Sequence, residues 1–406
     1  MEGSTLLSIV IPTRNRQYYA FKCVEQILQI KDSRLQVIIQ DNSDDVGLEE
    51  QLHRLNDNAR IKYNYCKGDL SFVDNFSIAV DLADGEYCCI VGDDDGITPY
   101  ILDVVSWAKT NDVDAIKPEI LFEYFWPNSI NIKGKADNGV IRLLKAPVKA
   151  RKYNAYNEVL ELLKNGGQHY TTLNMVKLYH GIVRKSCIEN IKSLTGKYFG
   201  GLSPDIYMAV ALSVTAKTVI QLNYPLTIAG VCGNSGSADS SKGRHVGNIE
   251  DAPHFRGHVQ YEWSELVPKF YSVETIWADS ALAALKDLKR EDLIEKFRLS
   301  SLSTTCIRKH PDFDEVVKKH YNTYLDSKTL TERLQFRTGY IVYPIQEFSK
   351  RVKKRLKRKS SDLLFIENIN DIISANEEFQ KYNISNNITL ELVIGALQKA
   401  LKSKLI

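Results

Sequence analysis

The sequence predicts an α/β fold, a mainly parallel sheet flanked by helices, followed by a mostly helical C-terminal region. Three observations carry this. From residue 6 onward, short β-branched runs alternate with segments of helical period. The runs are nearly continuous apolar stretches, as in strands that helices cover on both faces. Beyond residue 260 only the helical period recurs.

The alternation begins with Leu6–Ile11 and Tyr19–Ile30, then Leu35–Gln40 and Leu48–Leu55, Ile61–Tyr65 and Phe72–Ala83, Tyr87–Val91 and Tyr100–Lys109. Residues 120–200 are mixed, with a helix expected at Ala155–Leu163, a break at Gly166-Gly167 and a strand-like Lys177–Val183. Gly200–Pro204 leads into a helix from Asp205 to about Thr215, and a strand-like Val219–Gly230 follows. Gly233–Gly247, rich in Gly, Ser and Asn, reads as a mobile loop. The remaining segments predict helices at Glu274–Leu288, Glu291–Leu302, Phe313–Leu325, Arg333–Lys359 and Leu390–Leu405, with no internal repeat.

A chain of 406 residues has room for two or three domains and a large core. Its 44% hydrophobic and 25% charged residues exclude bulk disorder and a polytopic membrane protein. The seven cysteines are scattered and form no Cys-x-x-Cys pair, which points to reduced thiols rather than a zinc ribbon. No secretory n-region precedes Leu6–Ile11, and nowhere do 18 apolar residues run together, so the expected location is the cytoplasm. Charge is uneven. Residues 345–359 hold eight Lys/Arg and one Glu, a local +7 within a net +3, which leaves the rest of the chain at −4.

In a parallel sheet of this kind, ligands sit outside the carboxyl ends of the strands. Three ends are polar: Pro12-Thr13-Arg14-Asn15-Arg16, Asp41-Asn42-Ser43-Asp44-Asp45 and Gly92-Asp93-Asp94-Asp95-Gly96. Three successive carboxylates repel one another unless a cation or hydrogen-bonding ligand offsets the repulsion. Mg²⁺ or Mn²⁺, held by one or two carboxylates plus substrate phosphates, is the natural cation; a solvated acidic turn is the plain structural alternative. An EF-hand loop fails, because its fifth and twelfth positions from Asp93 would be Ile97 and Val104. The phosphatase pattern Asp-x-Asp-x-Thr is closer, with Asp93 and Asp95 in place but Thr98 one residue late.

The blocks SIVIPTRNR (8–16), VIIQDNSD (37–44), Asp74-Asn75, ADGEY (83–87) and IVGDDDGITP (90–99), in that order, resemble glycosyltransferase family 2. The resemblance is strong over about residues 5–110 and weakens toward about residue 230. It implies a GT-A fold and an inverting, metal-dependent enzyme that uses a nucleotide-sugar donor. By its pattern Pro12, Thr13 and Arg14, with Asn15 beside them, lie along the nucleotide, and Asp41 accepts from the uracil N3–H. Asp93 lies near the ribose, Asp94 binds the metal, and Asp95 is a second ligand or a group behind it. Asn75 matches the family's Arg-Asn pair, but Asp74 replaces the Arg, so another cation such as Arg14, Arg16 or a loop lysine must serve the phosphates. Inverting transfer needs a general base near the acceptor hydroxyl. Asp205 matches the family's catalytic Asp, although it and Ser203 could instead cap their helix. His245 is expected to fold over the diphosphate or reach the metal, and His180 is kept as a lid or acceptor-site group. Glu119, Glu123 and His180 are the alternative bases. His254 and His258 read as surface histidines on a loop.

Within 345–359, Ile345, Phe348, Val352 and Leu356 form one apolar stripe on a helix crowded with Lys and Arg. Such a helix suits an anionic membrane surface, the inner face of the cell membrane, or else a packed position in a homo-oligomer. No aromatic interleaving or RNA-binding motif supports nucleic acid as partner. The expected division is a GT-A domain over 1–232, the loop and linker over 233–260, and a helical region over 261–406. The expected function is transfer from a UDP-sugar to a hydroxyl of a glycan or lipid-linked acceptor in surface polysaccharide synthesis. The alternatives are a phosphohydrolase with Asp93 as nucleophile and a non-catalytic nucleotide-binding scaffold.

Overall fold

The computed structural model describes residues 4–127, 129, 138–233, 246–249, 261–326, 328–357 and 362–403. The expected alternation is present as β1 (Leu7–Thr13), α1 (Gln17–Ile27), β2 (Leu35–Asp41), α2 (Gly47–His53), β3 (Ile61–Tyr65), α3 (Phe72–Asp81) and β4 (Tyr87–Ile90). Then come β5 (Gly96–Ile97), α4 (Ile101–Thr110), β6 (Ala115–Pro118), β7 (Phe122–Phe125), β8 (Val140–Leu144) and β9 (Ala150–Lys152). The middle of the chain forms α5 (Tyr156–Lys164), β10 (Ile182–Arg184), α6 (Lys185–Thr195), α7 (Pro204–Thr215), β11 (Val219–Leu222), β12 (Thr227–Val231) and β13 (Val246–Gly247). The rest forms β14 (Tyr271–Ser272), α8 (Val273–Asp287), α9 (Glu291–Ile294), α10 (Leu299–Lys309), α11 (Asp314–Asp326), α12 (Leu330–Lys357), β15 (Leu363–Glu367), α13 (Ile372–Ser385) and α14 (Leu390–Lys402).

The main sheet runs β3-β2-β1-β4-β10-β6-β11-β9. β3, β2, β1 and β4 are mutually parallel, and every residue of β1 is buried, as its unbroken apolar run requires. β10 is antiparallel to both its neighbours, so the sheet is mixed beyond β4. The chain winds outward from β1 to β3 and then returns to place β4 on the other side of β1. That reversal opens a crevice at the carboxyl ends of β1 and β4. A second sheet runs β15-β8-β7-β12-β5.

Three expectations change. Glu291–Leu302 is two helices, because the Arg298 N–H leaves the helical ladder to donate to the Leu163 carbonyl (3.0 Å). Val219–Gly230 divides at Pro225, which has no N–H for a ladder. The helical region beyond 260 also contains the short strands β14 and β15, and its last two helices pack into the N-terminal core. β15 pairs antiparallel with β8, and Ile372, Phe379, Val393 and Leu397 of α13 and α14 join Ile9, Ile11, Ile39 and Trp107 in one core. The Phe379 ring stacks on Phe122 at 4.9 Å. A separate core holds α5, α7, α8 and α10 together, with α8 started by a Ser272/Thr275 capping box. None of the seven cysteines is in a disulfide. No helix among the described residues is long and apolar enough to cross a membrane.

Candidate active site

Thr13 pairs with Asp41 across β1 and β2, and Leu7–Val10 pair with Tyr87–Ile90 across β1 and β4, so the three polar strand ends meet at one edge of the sheet. There the Thr13 hydroxyl donates to Asp93 Oδ2 (2.6 Å). The Arg16 guanidinium enters from the start of α1, and its Nη2 lies 2.9 Å from both Asp93 Oδ1 and Asp94 Oδ1. The same nitrogen donates to Cys232 Sγ (3.0 Å). Arg16 is thus the counter-ion that lets two buried carboxylates lie side by side.

Asp95 is engaged differently. Its Oδ2 accepts from the Gly92 N–H (2.5 Å) and the Tyr179 hydroxyl (3.0 Å) and lies 3.3 Å from His180 Nε2, while its Oδ1 accepts from the Gly230 N–H (2.7 Å). Both oxygens therefore tie the loop to β12 and to the segment before β10. The Asp94 side chain accepts from the Cys232 N–H (3.0 Å), and its carbonyl accepts from the Trp126 indole (2.9 Å). Gly230 is required here because a Cβ would lie 1.7 Å from the Asp94 carbonyl oxygen.

Burial, opposed by Arg16 and reinforced by the charge of Asp94, pushes Asp93 up to about 7. Asp94 is raised for the same reasons, with Asp95 as the like charge. Burial works against the charge on Arg16, but Asp93 and Asp94 outweigh it and hold that pKa above the usual arginine value.

The other expected donor residues surround this group. Pro12 is buried within β1. Arg14 Nη1 donates to Asn42 Oδ1 (3.2 Å), and its Nη2 reaches Asp69 (3.2 Å). Asn15 adopts φ 55° and exchanges hydrogen bonds with Asp44, locking the β1 loop to the β2 loop. Asp41 is fully buried; its carboxylate accepts from the Ser43 N–H (2.8 Å) and the Tyr63 hydroxyl (2.9 Å), so a ligand reaches it only if Tyr63 moves. Asn75, in α3, has a buried Oδ1 without a hydrogen-bond partner. His245 lies outside the described residues, as do His254 and His258 and most of the expected loop over 233–260.

Asp205 stands in the first turn of α7. The Ser203 hydroxyl donates to Asp205 Oδ1, and no side chain caps the helix N-terminus. The capping alternative therefore does not describe this turn. The charge of Asp205 is felt by Tyr170 and Lys177. Burial, with help from Lys117, pushes Lys177 down to about 8, and Asp205 and Glu119 oppose that shift. Lys177 is two residues from Tyr179, which donates to Asp95, a span of about 7 Å in extended chain. The segment 177–180, held to β4 by the Ile90 N–H to Leu178 carbonyl (2.9 Å) and His180 N–H to Ile90 carbonyl (2.8 Å) bonds, thus links the surroundings of Asp205 to the Asp triplet.

The alternative bases are otherwise occupied. Glu119 pairs with Lys117 (2.6 Å), Glu123 pairs with Arg142, and His180 is buried between Thr227 and Asp95. Sequence spacing does not reveal Tyr179, Trp126, Gly230 or Cys232, which reach the triplet from distant segments.

Among the described residues no three His, Cys, Asp or Glu side chains form a metal-binding set. The donor set that does fit a divalent cation is the pair Asp93 and Asp94, whose oxygens converge on one point now held by the Arg16 nitrogen.

Residues 8–160 match the model of Glycosyl transferase family 2. A search of curated proteins finds no match. Among solved structures, S. aureus TarS 1-349 in complex with UDP-GlcNAc is 14% identical, with 82% of this chain and 79% of that one covered and a TM-score of 0.45. A mannosyltransferase from Pyrobaculum calidifontis in complex with GDP-Man and Mn²⁺ is 11% identical, with 84% and 86% covered and a TM-score of 0.36. Neither likeness is close enough to carry an argument about chemistry. The matched span takes in the strand-end blocks that carry the sequence resemblance, so residues 8–160, under half of the chain, are similar to glycosyltransferase family 2.

Proposed function

We propose that the chain is an inverting glycosyltransferase that moves a sugar from a UDP-sugar to a hydroxyl of a glycan or lipid-linked acceptor. The observation that carries this reading is the convergence of Thr13, Arg16, Asp93 and Asp94 at the sheet's switch point. The uridine preference rests on Asp41, a carboxylate at the end of β2 suited to accept from the uracil N3–H once Tyr63 gives way. Asn75, with its orphaned carbonyl oxygen, is a second point for the donor.

Asp93 and Asp94 are the residues that would hold Mg²⁺ or Mn²⁺, which would neutralise charge on the departing diphosphate. Arg16 and Arg14 supply the protein's own positive charge to that diphosphate, in place of the Arg that Asp74 replaces. Asp95 keeps the loop in place through its three hydrogen-bond donors, Gly92 N–H, Tyr179 O–H and Gly230 N–H, and its contact with His180. Asp205 takes the proton as the acceptor oxygen bonds to the anomeric carbon and the bond from that carbon to the phosphate oxygen breaks, so UDP leaves on the opposite face.

Calorimetry of UDP with and without Mn²⁺, followed by a screen of UDP-sugars for hydrolysis, tests the reading. Mn²⁺-dependent UDP binding and release of UDP from at least one donor are expected. Failure of UDP to bind under any metal condition overturns it. An Asp93-nucleophile phosphohydrolase has less support, since both Asp93 oxygens are already engaged by Thr13 and Arg16.

A further inference from the structure

α12 has two opposed faces, and among the described residues only one of them meets the rest of the protein. Phe336 packs on Tyr321 (4.3 Å between ring centroids), Tyr343 is buried, and Gly339 lies so close to α10 that a Cβ would come within 2.8 Å of Ser300 Oγ. At about 100° per residue, Phe336, Gly339, Tyr340 and Tyr343 share one side of the helix.

The other side is apolar and bare. Leu330, Leu334, Ile341, Ile345 and Phe348 are 84%, 65%, 66%, 65% and 70% exposed. The same rotation places these five within an arc of about 60°, centred roughly opposite the packed face. A helix expected to hide its apolar residues instead hides a Gly and aromatic face and displays its aliphatic one. The sequence carries the spacing on into Val352 and Leu356.

Charge decides what covers this face. Leu330–Lys357 holds eight Lys/Arg against two Glu, six of the eight crowded into 350–357, beside a chain that is otherwise weakly acidic. A second copy would bring the same +6 helix against itself, and like charges would oppose the pairing. An anionic phospholipid surface satisfies both features, taking the Leu, Ile and Phe side chains into its acyl boundary and the Lys and Arg at its headgroups. A 28-residue helix of this composition lies along such a surface, as it is too polar to cross it.

We propose that α12 docks this chain on anionic membrane through the Leu330–Phe348 stripe, with the basic segment 350–357 as its electrostatic partner. The proposal is independent of the donor reading. Its test is co-flotation of the full chain with vesicles of phosphatidylcholine containing 30% phosphatidylglycerol, against pure phosphatidylcholine, at 0.1 and 0.5 M NaCl. Binding should be at least ~10-fold weaker without the anionic lipid and should fall by a similar factor at high salt, since the Debye length shrinks with salt. The variant L334S/I341S/I345S/F348S should lose at least ~10-fold in binding to the anionic vesicles while keeping its melting temperature and UDP affinity. The variant K350Q/K353Q/K354Q/R355Q should lose its salt dependence and most of its binding. Absence of wild-type binding at 0.1 M NaCl overturns the proposal. So does a stripe variant that binds vesicles as wild type does, or one that converts a wild-type oligomer to monomer without change in vesicle binding.

Discussion

Arg16→Met removes the one cation that Asp93 and Asp94 share among the described residues. The Arg16 side chain is one-fifth exposed and each carboxylate nearly fully buried, so this is an ion pair in the interior rather than on the surface. Methionine keeps much of the aliphatic volume, which confines the perturbation to the charge. Breaking such a pair from one side costs about 3–5 kcal/mol, because the remaining charges stay buried and uncompensated. Here two carboxylates would also face each other, while Thr13 and the Cys232 N–H still serve one oxygen of each. A loss of about 3 kcal/mol in unfolding free energy is therefore expected, read by urea denaturation at pH 8 in EDTA, above the value of about 7 to which Asp93 is held. Mn²⁺ should restore more of that loss in the variant than it adds to wild type, since it meets two carboxylates without a competing guanidinium. Each tenfold gain in Mn²⁺ affinity would appear as about 1.4 kcal/mol at saturating metal. Arg16→Lys should recover only part of the stability, as one compact ammonium on a different stem does not reproduce the guanidinium bridge. A loss below about 1 kcal/mol, or an equal Mn²⁺ effect on both proteins, would refute the role of Arg16 as counter-ion.

Asp205→Asn should keep UDP affinity within about two-fold and lower transfer by at least ~100-fold, measured by steady-state UDP release; retention of a tenth of wild-type turnover would remove Asp205 from the mechanism. Gly230→Ala forces a methyl into the Asp94 carbonyl and should cost at least ~2 kcal/mol of stability together with donor binding, and a variant that melts like wild type would show that the loop yields there. Burial would raise the Glu274 pKa, but hydrogen bonds from His310 and Lys309 overcome this and hold it down to about 2. A depressed folded pKa contributes stability above the ordinary carboxylate value and loses it as pH falls toward 2, so wild type should exceed Glu274→Gln by about 3 kcal/mol at pH 6. That margin should narrow steadily below about pH 4.5 in urea titrations, and a margin that does not vary with pH would place its origin outside the carboxylate charge.

The parallel half of the sheet was legible because its signals are local. Val37–Gln40 or Tyr87–Val91 must be buried on both faces wherever it lies, and the polar residues that follow must then fall at a strand's carboxyl end. The Asp triplet announced a cation by the same kind of reasoning, since three adjacent charges repel in any fold. Helix boundaries within 260–402 were less secure, because helical period continues through a break such as 295–298 that is made by a hydrogen bond to Leu163.

What the sequence by itself determined was therefore the order of strands and helices from β1 to α4, the sign of the charge needed at Asp93 and Asp94, and an amphipathic basic helix near residue 345. Which cation answers the triplet, which of its three carboxylates is tied to backbone and hydroxyl groups, and which side of α12 is buried were decided by tertiary structure alone. Arg16 meets Cys232 across 216 positions, Gly230 meets Asp95 across 135, and Phe379 reaches Phe122 only after β15 has returned to pair with β8. Such contacts depend on closure of long loops around a common core, and residue type and spacing carry no record of where that closure brings two side chains together.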